Sequence, residues 1–383
     1  MQQYNFPTII YFGDDALECL AQTIKEKGHQ RILLVTDKTL VALGIADQVS
    51  TTLQSSGAKV ILFDDVHPNP LEEDVEKGAA IFETNNCDSI VALGGGSPMD
   101  AAKVIKVAAT HPAPLAQYDD AIGGDRLIVN PMPPLYAIAT TSGTGSEVGR
   151  SGVIVMRKTQ KKTIFFAPAL MPDIAVLVPQ LTSGLPAHIT AATGIDAFTH
   201  SLEAWLAPGF HPLADGLALE GMRLCIDNLE TCYRDGQNLE ARGRMQLAAT
   251  MGATAFQKGL GMIHSLAHPL SAQHSTHHGL ANALLLPASI EFIENSDLND
   301  EQSARLETVI ALFHKAGLAK DSLSATCRSW FATLGIRFGL KNHNIPEDNL
   351  QFLSEQAFED PCHSGNIIPV TKEDLLAVYR KAY

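Results

Sequence analysis

Three short apolar runs near the start of the chain limit its fold more than any other feature. RILLVTD (31–37), AKVILFDDV (58–66) and CDSIVALGGG (87–96) are dense in Val, Ile and Leu. Runs of this kind read as strands buried on both faces. DDALECLAQTIKEKG (14–28) and EDVEKGAAIFETNN (73–86) carry amphipathic helical patterns. Strand runs of about 4–8 residues alternating with helices of about 10–15 specify βαβ units and a parallel sheet. LYAIATTSGTGSE (135–147) repeats the strand-then-glycine-turn pattern.

From Ser183 the strand runs stop. PAHITAATGIDAFTHSLEAWL, PLADGLALEGMRLCIDNL and ARGRMQLAATMGATAF are helical, and a helix-rich tail follows. The boundary is set near PQLTSGLP, giving an α/β nucleotide-binding domain over 1–182 and an all-helical domain over 183–383. A chain of 383 residues with 45% apolar side chains can fill two cores. The net charge of −14 and the lack of a long basic run exclude the electrostatic footprint of a nucleic-acid binder. No uninterrupted apolar stretch reaches the roughly 18 residues of a membrane span. The N-terminal MQQYNFPTIIYFGDDALECL lacks the basic and long apolar segments of a secretory leader. Cys19, Cys87, Cys225, Cys232, Cys327 and Cys362 are scattered, as expected of reduced thiols in the cytoplasm.

IVALGGGSPMDAAKVIK is strand, glycine turn, helix. Gly94, Gly95 and Gly96 let the backbone approach a bound group, Ser97 suits a helix cap and Pro98 a first helical turn. The amides opening that helix would favour a pyrophosphate, although the run is not the G-x-G-x-x-G fingerprint. A tight turn without ligand is the alternative. In TTSGTGSE, Thr140, Thr141, Ser142 and Thr144 could line a nicotinamide and its phosphates, or cap the next helix. Asp37 ends a strand, where a carboxylate accepts from a ribose hydroxyl and repels a 2′-phosphate, favouring NAD over NADP. It could equally cap a helix.

GMIHSLAHPLSAQHSTHHG (261–279) holds His264, His268, His274, His277 and His278. His264 and His268 are four apart, on one helix face, before Pro269 bends or ends the helix. Asp196 and His200 repeat that spacing in an apolar context, where a carboxylate needs a partner. A carboxylate–imidazole pair and an imidazole cluster in one helical domain point to a metal site, without deciding which of the five histidines join it. His274 and His277 read as loop residues in solvated or packing roles.

GGGSPMDAAK (94–103), TTSGTGSE (140–147), LPAHITAATGIDAFTHSLEAW (185–205) and GLGMIHSLAHPLSAQHSTHHGLANALLLP (259–287) together resemble the iron-dependent (group III) alcohol dehydrogenases. EDPCHSGN (359–366) and DVHPNP (65–70) match more loosely. The resemblance implies the dehydroquinate synthase-like architecture: a Rossmann-like α/β domain, then an all-α domain that binds metal and substrate. It implies Asp196, His200, His264 and His278 as metal ligands. His268 would lie beside the substrate as a proton relay or as a residue that orients His264 or water. Asp37, Asn69, Gly95, Gly96, Ser97, Thr140, Thr144 and Lys162 would contact the cofactor. The implied reaction moves a hydride between a small primary alcohol, or its aldehyde, and NAD. A divalent metal, Fe(II) or alternatively Zn(II), would stabilise the alkoxide. A homodimer is implied, with the N-terminal PTIIYFG strand pairing across it.

The match departs at Gln257–Lys258, Gly149–Arg150, VIVM (153–156) and Ile367–Ile368. These departures bear on substrate identity. Lys258 or Arg150 could pair with an anionic substrate such as a semialdehyde or phosphonoaldehyde, or either could form a salt bridge. A metal-dependent lyase or hydrolase on the same scaffold and a non-catalytic dinucleotide sensor are the competing readings. The role of Cys362 is left open.

Overall fold

The computed structural model describes residues 8–383, so Met1–Pro7, the first part of the stretch read as lacking a leader, lie outside the described residues. The chain separates into two compact units. The α/β unit runs to Thr141 and resumes over Gly145–Ser183, while the helical unit takes Ser142–Thr144 and Gly184–Tyr383.

The α/β unit threads β1 (Ile9–Phe12), α1 (Ala16–Lys27), β2 (Arg31–Val35), α2 (Lys38–Ala42), α3 (Ile45–Gln54), β3 (Lys59–Phe63), α4 (Glu72–Thr84), β4 (Ser89–Gly94), α5 (Gly96–Ala108) and β5 (Leu135–Ala139). It ends with β6 (Ser151–Val155), β7 (Lys162–Phe166) and β8 (Ile174–Leu177). Six strands form one parallel sheet in the order β3-β2-β4-β5-β8-β1. The central strands are uniformly apolar because helices cover both faces. On one face Ile32, Leu34, Val91, Leu93, Tyr136 and Ile138 pack with α1 and α3 residues such as Leu20, Ile24, Val49 and Leu53. On the other, α4 and α5 lie against β2 and β4. The expected α/β and all-α architecture is the one observed.

Three local expectations differ. The helix after the GGG turn starts at Gly96 with Gly95 as its N-cap, so Ser97 lies inside the first turn, where its hydroxyl donates to Pro68 O at 2.6 Å. No α-helix follows TTSGTGSE. A single 3₁₀ turn, Ser146–Val148, leads into the antiparallel β6–β7 hairpin, which lies outside the apolar strand runs read from the sequence. The β-branched SGVIV favours strand, and Gly145 takes a left-handed φ of 61° that breaks helical continuity.

The helical unit comprises α6 (Ala187–Leu206), α7 (Pro212–Arg234), α8 (Leu239–Ala255), α9 (Met262–His274), α10 (His278–Glu294), α11 (Asp300–Lys315), α12 (Leu323–Thr333), α13 (Leu350–Glu359) and α14 (Lys372–Ala382). Helix α6 is central, packed against α7, α8 and α10, and is buried nearly all round from Thr190 to Leu206. Phe198 on α6 meets Phe313, Trp330 and Phe331 edge-on. Pro269 does not end α9, which continues to His274. The buried Leu266 and Leu270 on either side of Pro269 hold the helix through the hydrogen bond that proline cannot make. Among the described residues no helix is long and apolar enough to cross a membrane.

Candidate metal centre and dinucleotide turns

Asp196, His200 and Glu203 stand at i, i+4 and i+7 on α6, so all three face one side of that helix. His264 comes from the first turn of α9 and His278 from the first residue of α10. The link between α9 and α10 turns at Ser275 (φ 53°). Gly279 then lets α10 meet α6 backbone to backbone, since a Cβ there would lie 2.1 Å from Ala192 O. That close approach brings the His278 Nε2 to 3.4 Å from Asp196 Oδ1. His264 Nε2 is 3.8 Å and His200 Nε2 3.9 Å from the same oxygen. One donor atom from each of these four residues lies within 4.8 Å of all the others.

This geometry fits a divalent ion. Four ligands at about 2.1 Å around one ion stand roughly 3.4 Å apart in a tetrahedron. Three imidazoles and a carboxylate suit Fe(II) and Zn(II) alike. The charge state is also prepared. Burial pushes the His200 imidazole down to about 4, and burial likewise holds His278 well below the ordinary value. Burial works to raise Asp196, but His200, His278, His264 and the Asn282 amide outweigh it and lower the carboxyl. The cluster therefore presents a carboxylate and, at His200 and His278, unprotonated imidazoles. Asn282 donates to Asp196 Oδ1 at 2.8 Å and fixes its direction.

The residues that hold this set are not evident from the sequence. The Glu203 carboxylate receives the His264 Nδ1–H at 2.5 Å and the Ile263 amide at 2.7 Å. Burial lowers the pKa of His264, but Glu203 overrides it and the net shift is upward. The Nδ1–H tautomer leaves Nε2 directed at the cluster. The helical spacing Asp196–His200–Glu203 is the one signal that could have found Glu203.

His268, half-exposed, stacks on His278 with ring centroids 5.3 Å apart. Its Nδ1 is 2.7 Å from Asp360, whose other oxygen accepts from Ser265 Oγ at 3.0 Å and Cys362 N at 2.9 Å. Burial and the neighbouring Asp360 push the Cys362 thiol far up, so it is held as a neutral thiol. His274, expected in a loop, is the last residue of α9 and shares a hydrogen bond with Asn349 at 2.7 Å. His277 is the exposed residue before α10. Lys258 is buried in an ion pair with Asp215 at 2.5 Å, beside Arg305. Of the two readings of Lys258, the salt bridge is the one observed, made inside the helical unit. The Arg150 guanidinium lies over the Phe166 ring at 4.8 Å.

In the α/β unit, Gly95 caps α5 directly after β4, Gly96 and Ser97 open that helix, and Thr140 follows β5 with its amide bonded to Gly94 O at 3.0 Å. Asn69 is exposed in the loop before α4, and Lys162 is exposed at the start of β7. Asp37 caps α2, with Oδ1 accepting from Thr39 N at 2.8 Å and Leu40 N at 3.1 Å. Thr144 groups with the helical unit, where a Cβ on the adjacent Gly143 would stand 2.8 Å from Thr193 Cβ.

Residues 7–179 match the family model described as iron-containing alcohol dehydrogenase, and residues 190–383 match the C-terminal model of the Fe-containing alcohol dehydrogenase family. The chain is 40% identical to 4-hydroxybutyrate dehydrogenase of Cupriavidus necator, covering 98% of this chain and 97% of the relative. It is 34% identical to 1,3-propanediol dehydrogenase of Klebsiella pneumoniae, over 100% and 99%. A crystal structure of 1,3-propanediol oxidoreductase superimposes with a TM-score of 0.90 at 32% identity, covering both chains completely. The chain belongs to the iron-containing alcohol dehydrogenase family. It is a metal-dependent oxidoreductase that acts on CH–OH groups with a nicotinamide cofactor.

Proposed function

We propose that Asp196, His200, His264 and His278 hold one Fe(II), with Zn(II) as the alternative, and that the enzyme interconverts a small primary alcohol and its aldehyde. The convergence of four donor atoms within 4.8 Å carries this reading. A bound divalent ion supplies Lewis-acid stabilisation of negative charge on the alcohol oxygen. Asp196 contributes the only anionic ligand, and Glu203 keeps His264 in the tautomer that ligation needs. His268, held at Nδ1 by Asp360, moves the hydroxyl proton from the alcohol towards solvent through its half-exposed ring.

NAD is the cofactor in this proposal, bound by Asp37, Asn69, Gly95, Gly96, Ser97, Thr140, Thr144 and Lys162. The Asp37 carboxylate favours it over NADP by repelling a 2′-phosphate. The 40% identity to a dehydrogenase named for a hydroxy acid makes 4-hydroxybutyrate the first acid-bearing alcohol to try. Residues 1–182 and 183–383 act as cofactor and metal domains. The edge strand β1, with Ile9 and Phe12 exposed, supports a homodimer, and the free cysteines support a cytoplasmic enzyme.

The test is NADH formation by chelator-stripped protein repleted anaerobically with Fe(II) or Zn(II), using 1-propanol, 1,3-propanediol and 4-hydroxybutyrate. One metal should restore turnover, and Asp196→Ala should retain no stoichiometric metal and lose about 10³-fold in kcat, roughly 4 kcal/mol of barrier. Full turnover by stripped protein, or stoichiometric metal in Asp196→Ala, overturns the assignment.

A further inference from the structure

Helix α5 buries two lysines less than one turn apart, and the fold treats them differently. Lys103 donates to Ser146 O at 2.8 Å, Ser146 Oγ at 2.7 Å and Ser151 O at 2.9 Å. That is the normal state of a buried ammonium, with each hydrogen matched to an acceptor. Lys106 is only 3% exposed, yet its ammonium makes no hydrogen bond or close ion pair with any described residue.

Lys106 lines a cavity of about 530 Å³ in the α/β unit. The cavity lies where Pro134 and Asp173 lead into β5 and β8, at the end of the sheet opposite the GGG turn. Pro131, Met132, Pro168 and Met171 contribute apolar side chains to a lining whose exposed surface is otherwise mostly polar. Its polar neighbours are partly committed elsewhere. Asp173 Oδ2 accepts the Leu135 amide at 2.8 Å, and the Asn130 amide nitrogen donates to Thr110 O at 2.6 Å. Burial pulls the Lys106 pKa down, with Asp173 the one carboxylate that opposes it. Among the described residues no acceptor is bonded to this ammonium.

We propose that this cavity is a second small-molecule site, which takes a carboxylate with a short aliphatic chain. The carboxylate would accept from Lys106 in a charge-assisted hydrogen bond, and the alkyl chain would lie on the proline and methionine walls. A single cation beside Asp173 suits a monoanion better than a phosphate dianion, whose second charge would face that carboxylate. The site is independent of the metal cluster, since all of its residues belong to the α/β unit.

Butyrate is the probe, and butyramide is its uncharged counterpart. Metal-loaded enzyme with saturating NADH is acetylated by a soluble active ester, and the Lys106 peptide is followed by mass spectrometry. Butyrate should slow acetylation of Lys106 several-fold while butyramide leaves it unchanged. By calorimetry, Lys106→Met should bind butyrate at this site about tenfold more weakly, the loss expected for one charge-assisted hydrogen bond. Equal effects of the two probes on wild-type Lys106 would show a merely hydrated lysine and overturn the proposal, as would undiminished butyrate binding by a folded Lys106→Met. The protection experiment uses the wild-type chain, so it discriminates between these outcomes even if the variant misfolds.

Discussion

The two units prepare their candidate sites by opposite means. In the helical unit the converging groups are charged or titratable side chains, taken from three helices and withdrawn from water. In the α/β unit they are mostly backbone, displayed by turns at the ends of β4 and β5. A side-chain site stores its specification in pKa values and partner carboxylates. A backbone site stores it in the few positions where a Cβ would not fit. The first should therefore respond to pH and to removal of a charge, the second to addition of a methyl group.

The largest effect that separates the two concerns His200. In metal-stripped protein this imidazole takes its proton at about 4 when folded, against 6.5 when unfolded. Between those values the unfolded chain binds more protons. Stability is therefore fully present above pH 6.5 and falls as pH drops towards 4. The interval sets an upper bound of about 3 kcal/mol. Urea unfolding followed by the fluorescence of Trp205 and Trp330, both in the helical unit, should report that slope, and His200→Asn should flatten it. Identical slopes in the two proteins would mean that the burial of His200 is not what depresses its proton affinity.

Next in size is Glu203→Gln. The amide keeps the volume and can still meet Ile263 N, but it removes the charge that fixes His264 as the Nδ1–H tautomer. Metal affinity, measured by competition with a chelator, should fall about 10- to 100-fold, with NAD affinity unchanged. An unaltered metal affinity would reduce Glu203 to a packing residue and break the contrast between the two units.

The same contrast explains what is legible in the sequence. Asp196 and His200 declare themselves by helical spacing, and the strand runs declare the parallel sheet. The partner carboxylates do not: Glu203 lies 61 residues from His264, and Asp360 lies 92 from His268. No local pattern links residues so distant, and tertiary packing alone brings them together. Lys258 could be read as a salt-bridge former, but its sequence neighbours give no hint that the partner is Asp215, 43 residues away. The β6–β7 hairpin escapes a reading that treats VIVM only as a departure beside a pocket, although its β-branched run also favours a strand. Asp37 remains two-sided: it caps α2 in the structure, and both of those bonds fall on one oxygen of the two.

The smallest effect tests the backbone side of the comparison. Gly94 ends β4 with a φ of 152°, where an L side chain is strained, and a Cβ there would stand 2.6 Å from Pro98 Cγ. Gly94→Ala must therefore displace Pro98, and with it the first turn of α5 and the amides of Gly95, Gly96 and Ser97. The strain should remove about 1–3 kcal/mol of stability. The displaced amides should weaken NAD binding by about tenfold, since roughly 1.4 kcal/mol is one altered phosphate contact. Metal content should not change. Gly44→Ala separates strain from site: Gly44 has a φ of 73° with nothing within 4 Å of its Cβ position, so it shares the backbone penalty without a displaced turn. Should both variants lose stability and only Gly94→Ala lose NAD affinity, the GGG turn acts through the placement of its amides. Equal loss of affinity in both would mean that NAD binding follows the general stability of the α/β unit, and the turn would be a tight connection without a ligand of its own.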